Sequence, residues 1–268
     1  MQLNSENYHG PEANRRYMSY SQYCEFLSCE ARATVKLAGW EEEPSPARLA
    51  GQYVHAGVEG KLESFQQKHS EIFKRGGGLK SDFAQAEEML AAIRKDPLMT
   101  RALEGDHEVI CVTEWEGVLW KAKFDVRNEE KGFITDLKTA RNLLHKEWNG
   151  RERRYEHFIE HYGYIGQMAL YRELDRIEKG RNRPLDVFMA IITKESPPNK
   201  IVLTFEPVDR LQYELNEIRR NLPHVMAVKN GEVEPTRCEN CDYCRETSLW
   251  TRQVWDYDEW FGEIWNKV

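Results

Sequence analysis

Three short segments rich in β-branched and aromatic residues follow one another between positions 107 and 139, reading HEVICVTEWEG, VLWKAKFDVRN and KGFITDLKT. Gly117, Asn128 and Gly132 separate them, and residues of this kind favour tight turns between strands. The pattern predicts a three-stranded meander. Helical patterns stand before and after it, and strand character returns in LDVFMAIITK and KIVLTF. This order of elements predicts an α/β or α+β chain.

Apolar residues recur at helical spacing in several stretches outside these strands. We expect one helix from Tyr17 to Gly39, which carries Cys24 and Cys29. Further helices are expected from Ala47 to Lys68, from Ser81 to the stop at Pro97, from His157 to Lys179 and from about Val208 to Lys229. We divide the chain into an arm over 1–16, mobile or strap-like and without chemistry, a core over 17–230, and a tail over 231–268 that belongs to the same domain.

The charge balance limits the classes of function. The 268 residues include 38 Lys and Arg against 45 Asp and Glu, which gives a net charge of −7. This argues against a protein that coats nucleic acid through bulk positive charge, but it does not exclude a nuclease. No apolar run approaches the roughly 20 residues of a membrane helix, and the first residues lack a secretory signal. We therefore expect a cytoplasmic protein without a membrane partner.

Acidic residues stand inside the predicted strands. Asp125 lies near the end of the second strand, and Asp136 and Lys138 lie two positions apart on the third, so that they share a face. A hairpin between the strands would bring Asp125 to that face. Carboxylates held this close repel each other unless a divalent cation neutralises them, and oxygen ligands suit Mg²⁺ or Mn²⁺. Lys138 would then orient or deprotonate a water that attacks a phosphodiester.

The alternative is that Asp136 and Lys138 form an exposed pair on a solvated strand. The apolar neighbours in FITDLKT favour partly shielded positions instead, and such charged positions are often functional. Glu114 on the preceding strand is a further acidic candidate, which we expect to be solvated or structural.

The segment TRCENCDYCRE places Cys238, Cys241 and Cys244 at two successive C-x-x-C spacings. Three thiolates in this register can converge on one metal centre, and the spacing is more typical of a 4Fe–4S cluster than of zinc. Zn²⁺ is the alternative, and three reduced cysteines in a loop are the reading without a metal. Cys111 lies in an apolar strand and is expected to be a buried thiol.

Basic residues cluster around the acidic segment in an otherwise acidic chain, with Trp148 and Tyr155 among them. We expect the DNA backbone to run along this strip, with a frayed base stacked on one of the aromatic rings. A solvated charge run is the alternative. The basic residues are Lys121, Lys123, Arg141, Lys146, Arg151, Arg153 and Arg154.

The segment FDV followed by ITDLKT resembles the core of the PD-(D/E)XK nuclease superfamily, and more specifically its RecB-like and exodeoxyribonuclease VIII-like branch of phage-type recombination exonucleases. GQYVHAGVEG resembles the histidine motif of that branch, GQMALY its Q-x-x-x-Y motif, and SYSQYCEFLSCEAR its N-terminal S-x-S motif with a cysteine-bearing helix. With the C-terminal cysteines, the resemblance covers residues 17–244. Two departures are Phe124, where the family has proline, and aspartate rather than glutamate at position 136.

The resemblance implies a restriction-endonuclease-like core, with a mixed central β-sheet flanked by helices and a C-terminal cysteine clasp packed on the N-terminal helix. It implies that Asp125, Asp136, His55 and the carbonyl of Leu137 bind Mg²⁺ or Mn²⁺. Lys138 would handle the attacking water, and Gln167 and Tyr171 would position the DNA end or brace Lys138. It also implies an iron–sulfur cluster on Cys29, Cys238, Cys241 and Cys244, with Cys24 as the alternative fourth ligand.

The function expected from these features is that of a metal-dependent deoxyribonuclease. The resemblance implies an exonuclease that hydrolyses linear, double-stranded DNA in phage-type recombination or repair, with a single-strand annealing protein as partner. The branch includes ring-shaped oligomers, although no oligomer interface is visible in this sequence. Two alternatives remain: a catalytically weak DNA-end-binding or partner-binding module on a nuclease fold, and a metal-clasped scaffold with a merely acidic surface.

Overall fold

The computed structural model describes residues 1–40, 46–150, 152–206, 208–249 and 256–267. The helices are α1 (Pro11–Arg16), α2 (Tyr20–Ser28), α3 (Glu30–Leu37), α4 (Pro46–Val58), α5 (Leu62–Lys68), α6 (Ser81–Lys95), α7 (Pro97–Ala102), α8 (Phe158–His161), α9 (Tyr164–Glu178), α10 (Asp209–Lys229), α11 (Asp242–Glu246) and α12 (Tyr257–Lys267). The strands are β1 (Asp106–Trp115), β2 (Val118–Asn128), β3 (Phe133–Ala140), β4 (Lys146–Asn149), β5 (Arg154–His157), β6 (Asp186–Thr193) and β7 (Lys200–Thr204).

Five strands form the central sheet in the order β1-β2-β3-β6-β7. The first three are the antiparallel meander expected from the sequence. After β3 the chain passes through the β4–β5 hairpin and helices α8 and α9, and it returns in β6, which runs parallel to β3. Strand β7 then pairs antiparallel with β6. The sheet is therefore mixed, as the resemblance implied.

Helices cover both faces of the sheet, and β6 shows why the sequence requires this. Odd-numbered positions 187–191 of β6 pack with residues of α9 and α10, and even-numbered positions 188–192 pack with residues of α4 and α6. A strand buried on both faces needs a continuous apolar run, which VFMAII supplies. The expected mixed sheet flanked by helices is thus confirmed.

Three of the expected helices are divided, each for a visible reason. The stretch 17–39 forms α2 and α3, because Cys29 between them has extended backbone with φ −161°. The stretch 47–68 breaks beside Gly60, with φ +73°, and the stretch 157–179 breaks at Gly163, with φ +67°. Glycine adopts this left-handed backbone without a steric penalty. Helical periodicity continued across all three breaks, so the sequence pattern alone did not predict them.

The N-terminal segment, expected to be a mobile arm or a strap, is docked on the sheet. Tyr8 and Ala13 are buried, and Met18 forms a parallel bridge with β2. The ammonium group of Lys121 on β2 donates hydrogen bonds to the carbonyl oxygen of Tyr8 and to Asn14 Oδ1. These contacts make the segment a strap that is attached to the core.

Candidate active site and cysteine centre

The candidate active site lies where β2 and β3 separate. The two strands pair only between Val126–Asn128 and Phe133–Thr135. Beyond that point the backbone N–H of Leu137 donates to Asp125 Oδ2 at 2.8 Å, so a side chain replaces the next rung of the ladder. We call this opening the strand fork. It brings Asp125 close to Asp136 and Lys138, as expected from the hairpin.

Asp136 and Lys138 form a shielded pair at the strand fork. Asp136 is only 3% exposed, which excludes the alternative of a solvated surface pair. Lys138 Nζ lies 2.8 Å from Asp136 Oδ2, yet this oxygen makes no hydrogen bond of good geometry. The other oxygen of the Asp136 carboxylate, Oδ1, accepts a hydrogen bond from Gln167 Nε2 at 3.1 Å. The two oxygens of this carboxylate therefore face different partners, the Lys138 ammonium group and the Gln167 amide.

Burial and neighbouring charges shift the pKa values of this group in different directions. Burial raises the pKa of Asp136 to about 6, with Asp125 adding to the rise and Lys138 opposing it. Burial would also raise the pKa of Asp125, but His55 and Lys138 outweigh it and lower this pKa. The pKa of Lys138 is raised because the two carboxylates outweigh its burial. The two carboxylates and the two basic groups thus set one another's protonation.

His55 on α4 completes the acidic group, with its Nδ1 3.5 Å from Asp125 Oδ1. Burial would lower its pKa, but the charge of Asp125 and the hydrogen bond to it together outweigh burial and raise the pKa. One turn before His55, the helix passes close to β3 at Gly51, where an added Cβ would lie 3.2 Å from Thr139 Oγ1. The glycine therefore allows α4 to approach the sheet closely enough for the imidazole to reach Asp125.

Gln167 and Tyr171 lie one turn apart on α9, and Gln167 Nε2 donates to Tyr171 Oη at 2.9 Å. The same amide donates to Asp136, so Gln167 contacts the carboxylate, whereas the resemblance implied that the pair positions the DNA end or braces Lys138. Tyr171 is buried, and its ring packs edge-on against Phe124 with centroids 5.0 Å apart. Phe124, which stands where the family has proline, thus supports Tyr171 with its ring.

Tyr164 is a residue at the site that sequence reasoning missed. Its ring centroid lies 4.4 Å from Lys138 Nζ, within the range of a cation–π contact. The available signal was spacing, because positions 164, 167 and 171 share one face of a helix that begins at Tyr164. Tyr164 and Asp136 together hold the ammonium group of Lys138.

These donors fit a hard divalent cation. The strand fork brings together the carboxylates of Asp125 and Asp136 and the imidazole of His55. Such ligands suit Mg²⁺ and Mn²⁺, which favour oxygen atoms and keep several waters. The residues that could hold the ion are Asp125, Asp136, His55 and Leu137 through its carbonyl oxygen.

An open cleft of about 1320 Å³ runs past this group. Lys138, Gln167 and Tyr171 line one part of it, while Tyr8 and His9 of the docked N-terminal segment line another. Asn149 and Gly150 of the β4–β5 hairpin and the cysteines 238 and 241 also line it. The cleft thus connects the strand fork with the hairpin and with the cysteine centre.

The basic strip needs one correction. Lys121 is 2% exposed and its ammonium group binds the N-terminal segment, so it is not placed to contact a phosphate. Lys123 is half-buried and pairs with Glu108. Arg141, Lys146, Arg153 and Arg154 are exposed, with Arg154 paired to Glu156, and Arg151 lies outside the described residues.

The exposed part of the strip is carried by the β4–β5 hairpin, which the sequence analysis did not predict as strands. Trp148 and Tyr155 face each other across it, with ring centroids 5.2 Å apart. They are 52% and 68% exposed. Two large aromatic rings therefore stand in solvent beside the cleft, among arginine and lysine side chains.

The second candidate metal site consists of Cys29, Cys238, Cys241 and Cys244, whose sulfur atoms all lie within 4.8 Å of one another. Among the described residues, no other group of three or more Cys, His, Asp or Glu side chains brings its ligand atoms this close together. Cys24, the alternative fourth ligand, is outside the group, and burial raises its pKa to about 12. The structure therefore joins Cys29 to the three cysteines of the tail.

The tail is clasped to the N-terminal helices by protein contacts as well as by sulfur. Ala31 N–H donates to the carbonyl oxygen of Thr236 at 3.0 Å, and the Glu30 carboxylate accepts hydrogen bonds from the N–H and Oγ1 of Thr236. Burial would raise the pKa of Cys238, but the backbone N–H groups of Asn240 and Cys241 lower it to about 6. A thiolate is the form that binds a metal ion. The expected cysteine clasp on the N-terminal helices is confirmed.

The fold and the strand fork together define a nuclease of the PD-(D/E)XK class. Residues 19–247 match the family described as "PDDEXK-like domain of unknown function (DUF3799)", and the chain belongs to this family. The recognition made from the sequence motifs is thereby confirmed at the level of the PD-(D/E)XK superfamily.

The chain is also similar to a solved structure, that of a "Putative exonuclease" from Eubacterium rectale. The two share 37% sequence identity with a TM-score of 0.88, over 97% of this chain and 98% of the other. A second structure, that of SSO0001, shares 15% identity with a TM-score of 0.32, over 87% of this chain and 98% of that one, and supports no argument. No protein of curated function matches. None of the helices in the described ranges is long and apolar enough to cross a membrane.

Proposed function

We propose that this nuclease is a Mg²⁺- or Mn²⁺-dependent deoxyribonuclease, and that it acts as an exonuclease on linear double-stranded DNA. The observation that supports the proposal is the buried Asp136 carboxylate beside Asp125, with Lys138, its ion-pair partner, lining an open cleft.

In this proposal a bound divalent cation supplies charge stabilisation for the phosphate under attack. Lys138 orients the water that attacks phosphorus, because its ammonium group is held between Asp136 and the ring of Tyr164. Gln167 holds the Asp136 carboxylate from the opposite side through Oδ1. Because the protein already holds these groups in position, the reaction needs less ordering of its components than the same reaction in water.

The DNA would reach this group through the cleft. Arg141, Lys146 and Arg153 offer exposed positive charge for phosphates, and Trp148 and Tyr155 offer faces on which a base from a frayed end can stack. Because the net charge of the chain is −7, a local basic surface and not the overall charge would hold the DNA.

End-directed action is supported by the 37% identical protein from Eubacterium rectale, which is described as a "Putative exonuclease", and by the exposed aromatic pair beside the cleft. A role in phage-type recombination, with an annealing protein as partner, belongs to the same proposal and follows from the motif resemblance. The four-cysteine centre would hold a second metal with a structural role, since its sulfur atoms are directed at one another.

The test is digestion of end-labelled linear DNA and of covalently closed circular DNA, each with Mg²⁺, Mn²⁺ or EDTA. The variant Asp136→Asn is the paired loss-of-function protein, and Glu114→Gln, at an exposed position on β1, is the matched control. We expect the wild type and Glu114→Gln to degrade only linear DNA and only with metal, and Asp136→Asn to leave it intact.

Each other result has a defined meaning. Cutting of the circle as well would retain the nuclease and remove the exonuclease assignment. Binding of DNA ends without cleavage, by folded protein loaded with Mn²⁺, would favour the end-binding module. Equal cleavage by wild type and Asp136→Asn would remove Asp136 from the reaction.

A further inference from the structure

We propose that the four-cysteine centre binds a single Zn²⁺ ion, and not the 4Fe–4S cluster that the C-x-x-C-x-x-C spacing and the family resemblance suggested. The inference concerns a site apart from the strand fork and does not depend on the nuclease function. It is carried by the distances between the four sulfur atoms and by the contacts that fix them.

The sulfur separations match a site with one metal ion. Cys29 Sγ lies 3.6 Å from Cys244 Sγ, Cys238 Sγ lies 3.9 Å from Cys244 Sγ, and no pair in the group exceeds 4.8 Å. Zinc binds thiolates at about 2.3 Å in a tetrahedron, so neighbouring sulfurs stand about 3.8 Å apart. The observed values lie around this length.

A 4Fe–4S cluster needs a wider cage. Each cysteine binds a different iron of the cube, and the inorganic sulfides lie between them, so the four cysteine sulfurs stand roughly 6 Å apart. With every separation at or below 4.8 Å, the space between the thiolates is too small for the cube. The expectation of an iron–sulfur cluster therefore does not fit these residues.

The surrounding contacts oppose widening of the cage. Cys29 is buried at the junction of α2 and α3, and Cys244 is buried within α11. The Arg237 guanidinium donates to the carbonyl oxygen of Cys244 at 2.7 Å, next to the point where Thr236 binds Glu30. To admit the cube, the tail would have to move away from α3 and break the hydrogen bonds of Thr236 with Glu30 and Ala31.

The C-x-x-C turn also supports one tetrahedral ion. The backbone N–H of Cys241 donates to Cys238 Sγ at 3.3 Å, and the sulfur atoms of the two residues lie within 4.8 Å of each other. Hydrogen bonds from outside the ligand set orient ligands and stabilise the thiolate charge. The cysteines 29 and 244 then supply the remaining two corners of the tetrahedron.

Metal analysis of the full-length protein tests the inference. The protein is purified in two batches, one in air and one without oxygen, from cells grown with added iron and zinc. Zinc, iron and acid-labile sulfide are then measured per chain. We expect one zinc per chain and almost no iron in both batches, without the absorption near about 400 nm that iron–sulfur clusters give.

Two variants assign the zinc to this centre. Cys241→Ser should reduce zinc to a small fraction of one per chain, while the double variant Asp125→Asn, Asp136→Asn should retain it. Replacement of zinc by Co²⁺ should give the strong visible bands of a tetrahedral four-thiolate site, and Cys241→Ser should lack them. The cobalt spectrum reports ligand geometry without any assay of activity.

Two results of the metal analysis would overturn the proposal, and so would one result with the variants. One is about four irons and four sulfides per chain in the oxygen-free batch, with the corresponding absorption. The other is the absence of tightly bound metal from both batches of folded protein. Zinc that persists in Cys241→Ser and disappears from the double aspartate variant would also contradict it, because the ion would then sit at the strand fork.

Discussion

The strand fork and the cysteine centre are both built to receive a metal, but their construction is opposite. The four sulfurs of the cysteine centre converge within 4.8 Å of one another. At the strand fork the ligands come from three elements, with His55 on α4, Asp125 on β2 and Asp136 on β3, next to an open cleft that Lys138 lines. Structural zinc sites are closed, whereas catalytic sites keep positions open for water and substrate. We therefore expect the cysteine centre to support the fold and the strand fork to perform the chemistry.

The cleft connects the two sites. Cys238 and Cys241 line the same cleft as Lys138, so the tail forms part of its wall. Loss of the cysteine centre should therefore weaken the fold first and the reaction second, while loss of the strand fork should abolish the reaction and leave the fold intact. The predictions below are designed to separate these effects.

The largest effect is expected for the double variant Asp125→Asn, Asp136→Asn. It removes both carboxylates from the strand fork, so cleavage of linear DNA should fall by at least about 10³-fold, since several kcal/mol of charge stabilisation are lost. Binding of Mn²⁺ at this site should be lost too. The measurements are single-turnover cleavage and calorimetric Mn²⁺ titration of wild type and variant.

The same variant should melt within about 5 °C of the wild type, because the asparagines keep the size of the aspartates and the relief of repulsion between the two carboxylates offsets part of the ion pairing that Lys138 and His55 lose. Equal Mn²⁺ affinity in both proteins would contradict the assignment of the strand fork as the metal site. A large fall in melting temperature would show that the carboxylates support the fold, and it would contradict the expectation that the strand fork mainly performs chemistry.

The second effect is on stability. Cys29→Ser removes the ligand that joins the N-terminal helices to the tail, and we expect the melting temperature to fall by about 10 °C, because metal affinity contributes to folding free energy. Cys24→Ser is the matched control, since Cys24 lies outside the converging group. Its melting temperature should change by less than about 3 °C. Differential scanning calorimetry of the two variants, with zinc content measured in parallel, makes the comparison.

An equal fall in melting temperature for Cys29→Ser and Cys24→Ser would show that the two thiols contribute to stability through packing and not through a metal. Cleavage per folded molecule of Cys29→Ser, measured well below its melting temperature, should remain within about tenfold of wild type. Complete loss of cleavage by folded protein would place the cysteine centre inside the reaction, against its assignment as a structural site.

The sequence predicted contacts most accurately where the two residues lie close together along one strand or one helix. Asp136 and Lys138 share a strand face, and Gln167 and Tyr171 share a helix face, so spacing alone placed each pair together. The four-cysteine group was inferred from the register of three cysteines, and its fourth member, Cys29, from family resemblance. These inferences needed only short-range geometry or a motif position.

The sequence was less informative where distant segments meet. Lys121 looked like a surface lysine of the basic strip, because nothing local predicts that residues 8 and 14 fold over it. Tyr164 looked like an ordinary helix residue, since its contact with Lys138 depends on how α9 packs against the sheet. The spacing between sulfur atoms is likewise a tertiary property, which is why C-x-x-C-x-x-C alone indicated the wider iron–sulfur cage.

The third effect concerns the ammonium group at the strand fork. Tyr164→Leu removes the ring that lies 4.4 Å from Lys138 Nζ, and we expect kcat to fall about tenfold, because a desolvated cation–π contact contributes roughly 1–2 kcal/mol. KM for linear DNA should change by less than about twofold. Tyr164→Phe keeps the ring and should retain most of the rate. Equal losses in the leucine and phenylalanine variants would assign the role to the hydroxyl group.

The smallest effect is expected at the β4–β5 hairpin, which tests whether the cleft also receives the DNA end. Trp148→Ala removes a half-exposed ring, and affinity for frayed-end DNA should fall about fivefold, because one stacked base contributes about 1 kcal/mol or more. Tyr213→Ala, which removes an exposed ring on α10, is the control and should bind like wild type. Affinities measured on blunt, frayed and closed circular DNA separate stacking from charge, since a stacking role requires that the loss be largest for frayed ends. An equal loss on all three substrates would instead make Trp148 part of a general DNA surface, and the hairpin would then share in binding without selecting ends.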